Sequence, residues 1–209
     1  MTSILASASG YLARVSCPAP GEAFAEIEAA VADIDRVMRM FNALLRLAEI
    51  DSGARRSGFV RVDAAAVTAE VVEYYEPAAE QKGVVFSFAA AGDAAVAGDP
   101  MLLAQAVSNL IDNSLKSVPA RGAISVKVGR RADGAVEIAV ADDGPGIPDA
   151  DKPRVTERFY RGDASRGTPG VGLGLSIVDA VARLHGGVLQ LLDNHPGLRA
   201  QMVLPVAPA

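Results

Sequence analysis

Four stretches of this 209-residue sequence have residue types and spacings suited to binding phosphate or a flat base. The first is Asp142-Asp143-Gly144-Pro145-Gly146, directly after the apolar run Val136–Val140. It puts a carboxylate at a strand end, beside a backbone nearly bare of side chains. A polar turn closing a hairpin and an acid that faces a ligand both fit that pattern. The second is Asn109-Leu110-Ile111-Asp112-Asn113-Ser114-Leu115-Lys116. On a helix Asn109, Asn113 and Lys116 share one face, where an amide oxygen suits Mg²⁺ and the ammonium neutralises phosphate. A solvated polar face has the same appearance.

The third stretch, Gly170-Val171-Gly172-Leu173-Gly174-Leu175, leads into a helical pattern. Glycines there let bare backbone N–H groups approach a phosphate at a helix N-terminus. The strand that the dinucleotide-binding fingerprint requires does not precede it, and the Gly-Lys-Ser/Thr of a Walker loop is missing. The fourth, Glu157–Asp163, is followed by the small-residue run Ala164–Pro169. Such a run suits a lid, and Arg161 at its edge suits a terminal phosphate.

The elements that must position these groups can be read from periodicity. Asp99-Pro100 is an N-cap followed by proline at the first helical position, and it opens a helix through Lys116. Ala64–Gln81 predicts a helix stopped by Gly83, and Val84–Phe88 a strand. Ile124–Val128 and Val136–Val140 predict a hairpin around Asp133-Gly134. Gly174–Leu184 is helical, and Val188–Leu192 pairs with Gln201–Leu204.

The N-terminal quarter is different. Phe24, Ile27, Val31, Ile34, Met38, Phe41, Leu45 and Ala48 mark one long helix over 22–51 with a sustained heptad seam. Leu5, Ala8, Leu12 and Val15 repeat the spacing over a shorter run, and Cys17-Pro18-Ala19-Pro20-Gly21 breaks between the two. At ~1.5 Å rise per residue the short helix reaches only half of the long one. The seam from Met38 to Ala48 therefore needs a partner from a missing N-terminal segment or from another chain. Residues 52–61 read as a hinge, and residues 62–209 as one domain. The predicted class is α+β: a helical hairpin of four-helix-bundle type followed by an α/β sandwich.

Half the residues are apolar and 22% are charged, as in an ordinary globular protein. A net charge of -5 argues against nucleic acid as a general partner. The single cysteine, Cys17, allows no internal disulfide and suits a cytoplasmic location. His185 and His195 lack metal-ligand spacing.

In this order and spacing the four stretches resemble the ATP-binding domain of sensor histidine kinases, within the GHKL ATPase group. Asn109–Lys116 is similar to that family's N box and Asp142–Gly146 to its G1 box. Arg154–Asp163 is similar to the F box and Gly170–Leu175 to the G2 box. The helix over 22–51 resembles the second helix of the family's dimerisation hairpin. The resemblance implies that Asp142 accepts a hydrogen bond from the adenine amine, with Gly144 and Gly146 close against the base. It implies Mg²⁺ on Asn113 supported by Asn109, and phosphate oxygens on Lys116 and Arg161. The amides of Gly170, Val171, Gly172, Leu173 and Gly174 would line the triphosphate, and Asp112 would help deprotonate the phosphoacceptor. It further implies a homodimer through helix 22–51 and a response-regulator receiver domain as partner.

Ser117, Val171 and Thr156 depart from the family's usual aromatic, threonine and phenylalanine. The larger departure is the phosphoacceptor: neither His185 nor His195 stands in the His-Glu/Asp-x-x-x-Pro setting of the family. Truncation of a kinase would account for this. A natural acceptor-less module that docks a regulator or another kinase is the alternative.

Overall fold

Asp99 and Pro100 open their helix as the sequence requires. In the computed structural model the Asp99 carboxylate accepts from the Met101 and Leu102 amides at 2.9 and 3.3 Å. The structure describes residues 58–161 and 172–208, with 28, 31, 34, 37, 38, 40–45 and 47–50 of the N-terminal region. The short first helix, its breaker and most of the hinge lie outside the described residues.

The element order is β1 (Val60–Asp63), α1 (Ala64–Lys82), β2 (Val85–Ala91), β3 (Ala95–Gly98), α2 (Pro100–Ser117), β4 (Ala123–Arg130), β5 (Val136–Asp142), α3 (Gly174–Leu184), β6 (Val188–Asp193) and β7 (Leu198–Leu204). Five strands form one mixed sheet in the order β2-β4-β5-β7-β6, with only the β2–β4 pair parallel. β1 and β3 pair separately as an antiparallel ribbon. In β4 the residues Ile124, Val126 and Val128 are buried, and β5 continues that face with Val136, Ile138 and Val140. Against it the helices bring Leu103, Val107, Leu110 and Ile111 of α2 and Ile177, Val178 and Val181 of α3. Burying each such side chain contributes roughly 1.5–3 kcal/mol, and this shared layer holds the site-bearing ends of α2 and β5 together.

Gly83 ends α1 in the left-handed conformation at φ 68°, where a side chain would be strained. β1 and β3 escape periodicity because each has four residues, and they pair with each other outside the five-stranded sheet, β3 also bridging to Val206 through Val96. β1 also begins at Val60, inside the segment read as a hinge.

The chain divides into two compact units, Met1–Phe41 and Asn42–Ala209. The division falls nearer the N-terminus than the predicted helix end at 51. Leu47 and Ile50 are buried, which assigns the end of that helix to the second unit. The described residues from 40 to 50 are helical, as the heptad seam predicts.

Candidate functional site

Asp142 is the last residue of β5 and only 2% exposed, unusual for an acid. Three donors hold it. The Ser114 hydroxyl donates to Oδ2 at 2.7 Å, and the Gly144 and Leu198 amides donate to Oδ1 at 3.0 and 3.4 Å. A carboxylate accepts about four hydrogen bonds, so this one is locked in place with acceptor capacity left. The bare backbone beside this acid has a geometric reason. A Cβ on Gly144 would stand 3.0 Å from Asp142 Oδ1 and 3.1 Å from the Ser117 carbonyl oxygen.

The same acid loop is braced from behind. Asn194 donates through Nδ2 to the Asp142 carbonyl at 2.8 Å. Gly197, at φ 110°, lies so close that a Cβ would come within 1.8 Å of the Asp142 carbonyl oxygen. Gly146, at φ 72°, faces the Gly197 carbonyl in turn. Asp143 accepts from the Ala123 amide at 2.9 Å, a backbone role distinct from that of its neighbour. Ser114, Asn194 and Gly197 were missed as site residues. The Asn-His-Pro-Gly turn was a visible signal, but its contact with Asp142 spans more than fifty residues of sequence and has no local signature.

On α2, Asn109 is one side of a gap. Its Nδ2 is buried with no hydrogen-bond partner, and its Oδ1 would lie 3.8 Å from a Cβ on Gly174. Buried amides without partners are uncommon and call for an explanation. Asn113 follows one turn later, half-buried. Lys116 lies beyond it and pairs with Asp112 at 3.2 Å, both side chains being nearly half exposed. Asp112 also faces Tyr75 of α1: burial first, then the charge and hydrogen bond of Asp112, push the Tyr75 phenol up to about 12, while a hydrogen bond with Ser108 opposes.

The second glycine stretch meets α3. Leu173 is buried at the N-cap, and no side chain caps the helix amides. Gly172, at φ 74°, packs against Phe159, Tyr160 and Arg161, where a Cβ would lie 2.7 Å from the Tyr160 carbonyl oxygen. The Phe159 amide donates to the Gly172 carbonyl at 3.0 Å, which joins the residues on either side of the run expected to form a lid. Gly170, Val171 and the lid run itself lie outside the described residues. Arg161 is brought to Gly172 through its Cγ, 3.1 Å from where that Cβ would be. The structure thus joins Asp142 and Gly144 to the end of α2, Asn109 to Gly174, and Arg161 to Gly172.

Before the lid, Tyr160 donates to Asp151 at 2.7 Å and carries the Arg154 guanidinium over its ring at 4.5 Å. Lys152 bridges Asp149 and Asp193 at 2.6 and 2.8 Å. Those hydrogen bonds raise the Lys152 pKa, and the one from Lys152 lowers that of Asp193.

His185 is a packing residue. It is buried, stacked on Phe59 at 4.6 Å, with Nδ1 on the Val181 carbonyl and Nε2 accepting from the Asp99 amide.

Residues 98–208 match the family model described as histidine kinase-, DNA gyrase B- and HSP90-like ATPase. The chain belongs to this ATPase family. Sensor protein IrlS of Burkholderia pseudomallei is 35% identical over 202 residues, covering 95% of this chain and 42% of that protein. The signal transduction histidine-protein kinase/phosphatase MprB of Mycobacterium sp. (strain KMS) is 44% identical over 118 residues, covering 54% of this chain and 23% of that protein. A solved structure of the mycobacterial sensor histidine kinase MprB superposes with a TM-score of 0.65 at 33% identity, over 72% of this chain and all of that one. The α+β fold and the resemblance drawn from the four motifs therefore hold: this ATPase domain is of the sensor histidine kinase kind. The chain spans less than half the length of the curated relatives it matches.

Proposed function

We propose that this chain is the ATP-binding catalytic part of a two-component histidine kinase, which transfers the γ-phosphate of ATP to a histidine outside this sequence. The observation that carries the reading is the Asp142 carboxylate: buried, held by three donors and walled by Gly144. Adenine recognition needs one fixed acceptor for the exocyclic amine and a flat surface, and this corner supplies both. Asn109 and Gly174 mark the phosphate end, where the uncapped amides of α3 favour an anion.

The residues at that end fit Mg²⁺. This ion takes one or two protein oxygens and completes its shell with water and phosphate. Asn113 would hold it through its amide oxygen, and the unpartnered Asn109 Nδ2 is free to donate to a phosphate or a metal-bound water. Neutralisation of phosphate charge is the chemistry that the ion supplies when bound. Lys116 and Arg161 are the residues of this chain that would meet phosphate oxygens, and Asp112 aims Lys116. In the transfer an imidazole nitrogen bonds to the γ-phosphorus while the bond to the bridging oxygen breaks and ADP leaves. Positioning and charge neutralisation are the main requirements for that step.

Transfer onward to a receiver-domain aspartate of a response regulator, a cytoplasmic setting and a homodimer through helix 22–51 belong to the same reading. Its support is the exposure of Ile34, Val37, Met38 and Phe41 at 52–62% on helical backbone. No helix among the described residues is long and apolar enough to cross a membrane. Calorimetry with Mg²⁺-ATP, with and without chelator, tests the nucleotide site. No heat of binding from the folded chain would overturn it.

A further inference from the structure

The C-terminal end of α2 carries much of the proposed nucleotide site, yet its last carbonyls are not all met within α2. A helix leaves its final four C=O groups without intrahelical partners. Here a side chain from a different helix meets one of them and the cap carbonyl beyond it. Lys82, in the last turn of α1, donates through Nζ to the Leu115 carbonyl, and to the Val118 carbonyl at 2.6 Å. Charged donors make the stronger hydrogen bonds, and a cation at a helix C-terminus also favours the dipole.

The two carbonyls bracket Lys116 and Ser117. Ser114, one residue before this turn, donates to Asp142. The Ser117 carbonyl oxygen would stand 3.1 Å from a Cβ on Gly144. Val118 leads into the turn at Gly122, whose amide donates to the Pro119 carbonyl at 3.1 Å. A Cβ on Gly122 would meet Val118 Cγ2 at 2.4 Å and Asp143 Oδ1 at 2.5 Å. The Ser117 carbonyl behind Gly144 and the Val118 side chain beside Asp143 thus belong to a turn that Lys82 grips at both ends.

We propose that Lys82 is a positioning residue of the nucleotide site: by holding the Leu115 and Val118 carbonyls it sets the end of α2 against the Asp142–Gly144 corner. This rests on the ATP-binding reading above. Lys82 itself touches no ligand. Its effect travels through backbone, so it acts on the base-binding corner.

The test compares wild type, Lys82→Met and Lys82→Arg by Mg²⁺-ATP calorimetry at a temperature where circular dichroism shows each to be folded. Amide hydrogen exchange is followed at Gly144 and at residues 115–118. Lys82→Met should bind Mg²⁺-ATP on the order of tenfold more weakly, because the base-binding corner is no longer held ready for the ligand. Its Gly144 amide should exchange faster in the absence of nucleotide. Lys82→Arg keeps the charge and donors and should recover most of both. A folded Lys82→Met with wild-type affinity and unchanged Gly144 exchange would overturn the proposal, because a contact that only stabilises the fold moves neither. Should the wild type bind no ATP, the functional reading fails, and Gly144 exchange alone decides the role of Lys82. Should Lys82→Met fail to fold, Lys82→Gln takes its place, and collapse of both makes Lys82 a folding residue and ends the proposal.

Discussion

Ser114 of α2 donates its hydroxyl to Asp142 of β5 at 2.7 Å, and both side chains are buried. The hydrogen bond ties the helix that bears the amide–lysine face to the strand that bears the acid. It makes Asp142→Asn an informative substitution. An asparagine can keep its oxygen toward the Gly144 and Leu198 amides and offer its NH₂ to Ser114, so the fold survives. What is lost is the charge and the spare acceptor. Charge-assisted hydrogen bonds contribute ~1.5–3 kcal/mol, so Mg²⁺-ATP affinity should fall roughly tenfold or more while the melting temperature changes little. Unaltered affinity in calorimetry would remove Asp142 from the site.

Gly197 is the tightest contact behind that acid. A Cβ there would overlap the Asp142 carbonyl, and φ 110° is a region that side chains avoid. Gly197→Ala should cost about 1–3 kcal/mol from backbone strain alone, with further loss from displacement of the acid loop. Thermal denaturation should show a clear drop, accompanied by weaker nucleotide binding. A stable Gly197→Ala variant that binds normally would show the turn and the acid loop to be independent.

Tyr75 reports the α1–α2 contact through its titration. Its phenol is pushed from 10.0 to about 12, chiefly by burial and then by Asp112. A folded pKa above the unfolded one means that the contribution to stability is complete below pH about 10. It is lost as the pH rises through about 12. Tyrosinate absorbance during an alkaline titration should show a late component that Tyr75→Phe abolishes. A wild-type curve lacking that component would break the assigned contact with Asp112.

Much of this was legible because the elements that bear the site obey local rules. α3 falls at Gly174–Leu184 as its periodicity requires, and the Asp99 cap and Gly83 stop are local chemistry. β1 and β3 were not legible, since Val-Arg-Val-Asp and Ala-Val-Ala-Gly are too short to establish a period without knowledge of their partner. The site was half legible in the same sense. Asp142 announced itself through the glycines after it, whereas its distant partners belong to α2, to the β6–β7 turn and to the start of β7. Lys82 gave no signal at all: a lysine before a helix-ending glycine is ordinary, and only the fold brings it to the end of α2.

The apolar stripe of the N-terminal helix should drive self-association. Phe41 and Met38 are 56% and 52% exposed, and covering each large side chain contributes roughly 1.5–3 kcal/mol. Phe41→Glu should shift the chain toward monomer in sedimentation velocity. A wild type that is monomeric at high concentration would contradict the proposed dimer.

The final prediction concerns phosphate acceptance. An attacking imidazole needs a free nitrogen lone pair in line with the leaving oxygen. In His185, Nε2 already accepts from Asp99, Nδ1 is on the Val181 carbonyl, and the ring is 4% exposed. His195 lies in the β6–β7 turn beside Asn194, which binds the Asp142 carbonyl. That is the adenine end of the proposed site, whereas the phosphates belong at Asn109 and Gly174. The chain incubated with labelled ATP should therefore form no acid-labile phosphohistidine. A separate polypeptide bearing a histidine in the His-Glu/Asp-x-x-x-Pro setting should become labelled through the intact nucleotide site. Asn113→Ala should stop that labelling by removing the proposed metal ligand, with affinity for adenosine retained. Label on His185 or His195 of the isolated chain would overturn the assignment of both as non-acceptors. Clear ATP binding without transfer to the supplied histidine would favour a nucleotide-binding module that signals by docking.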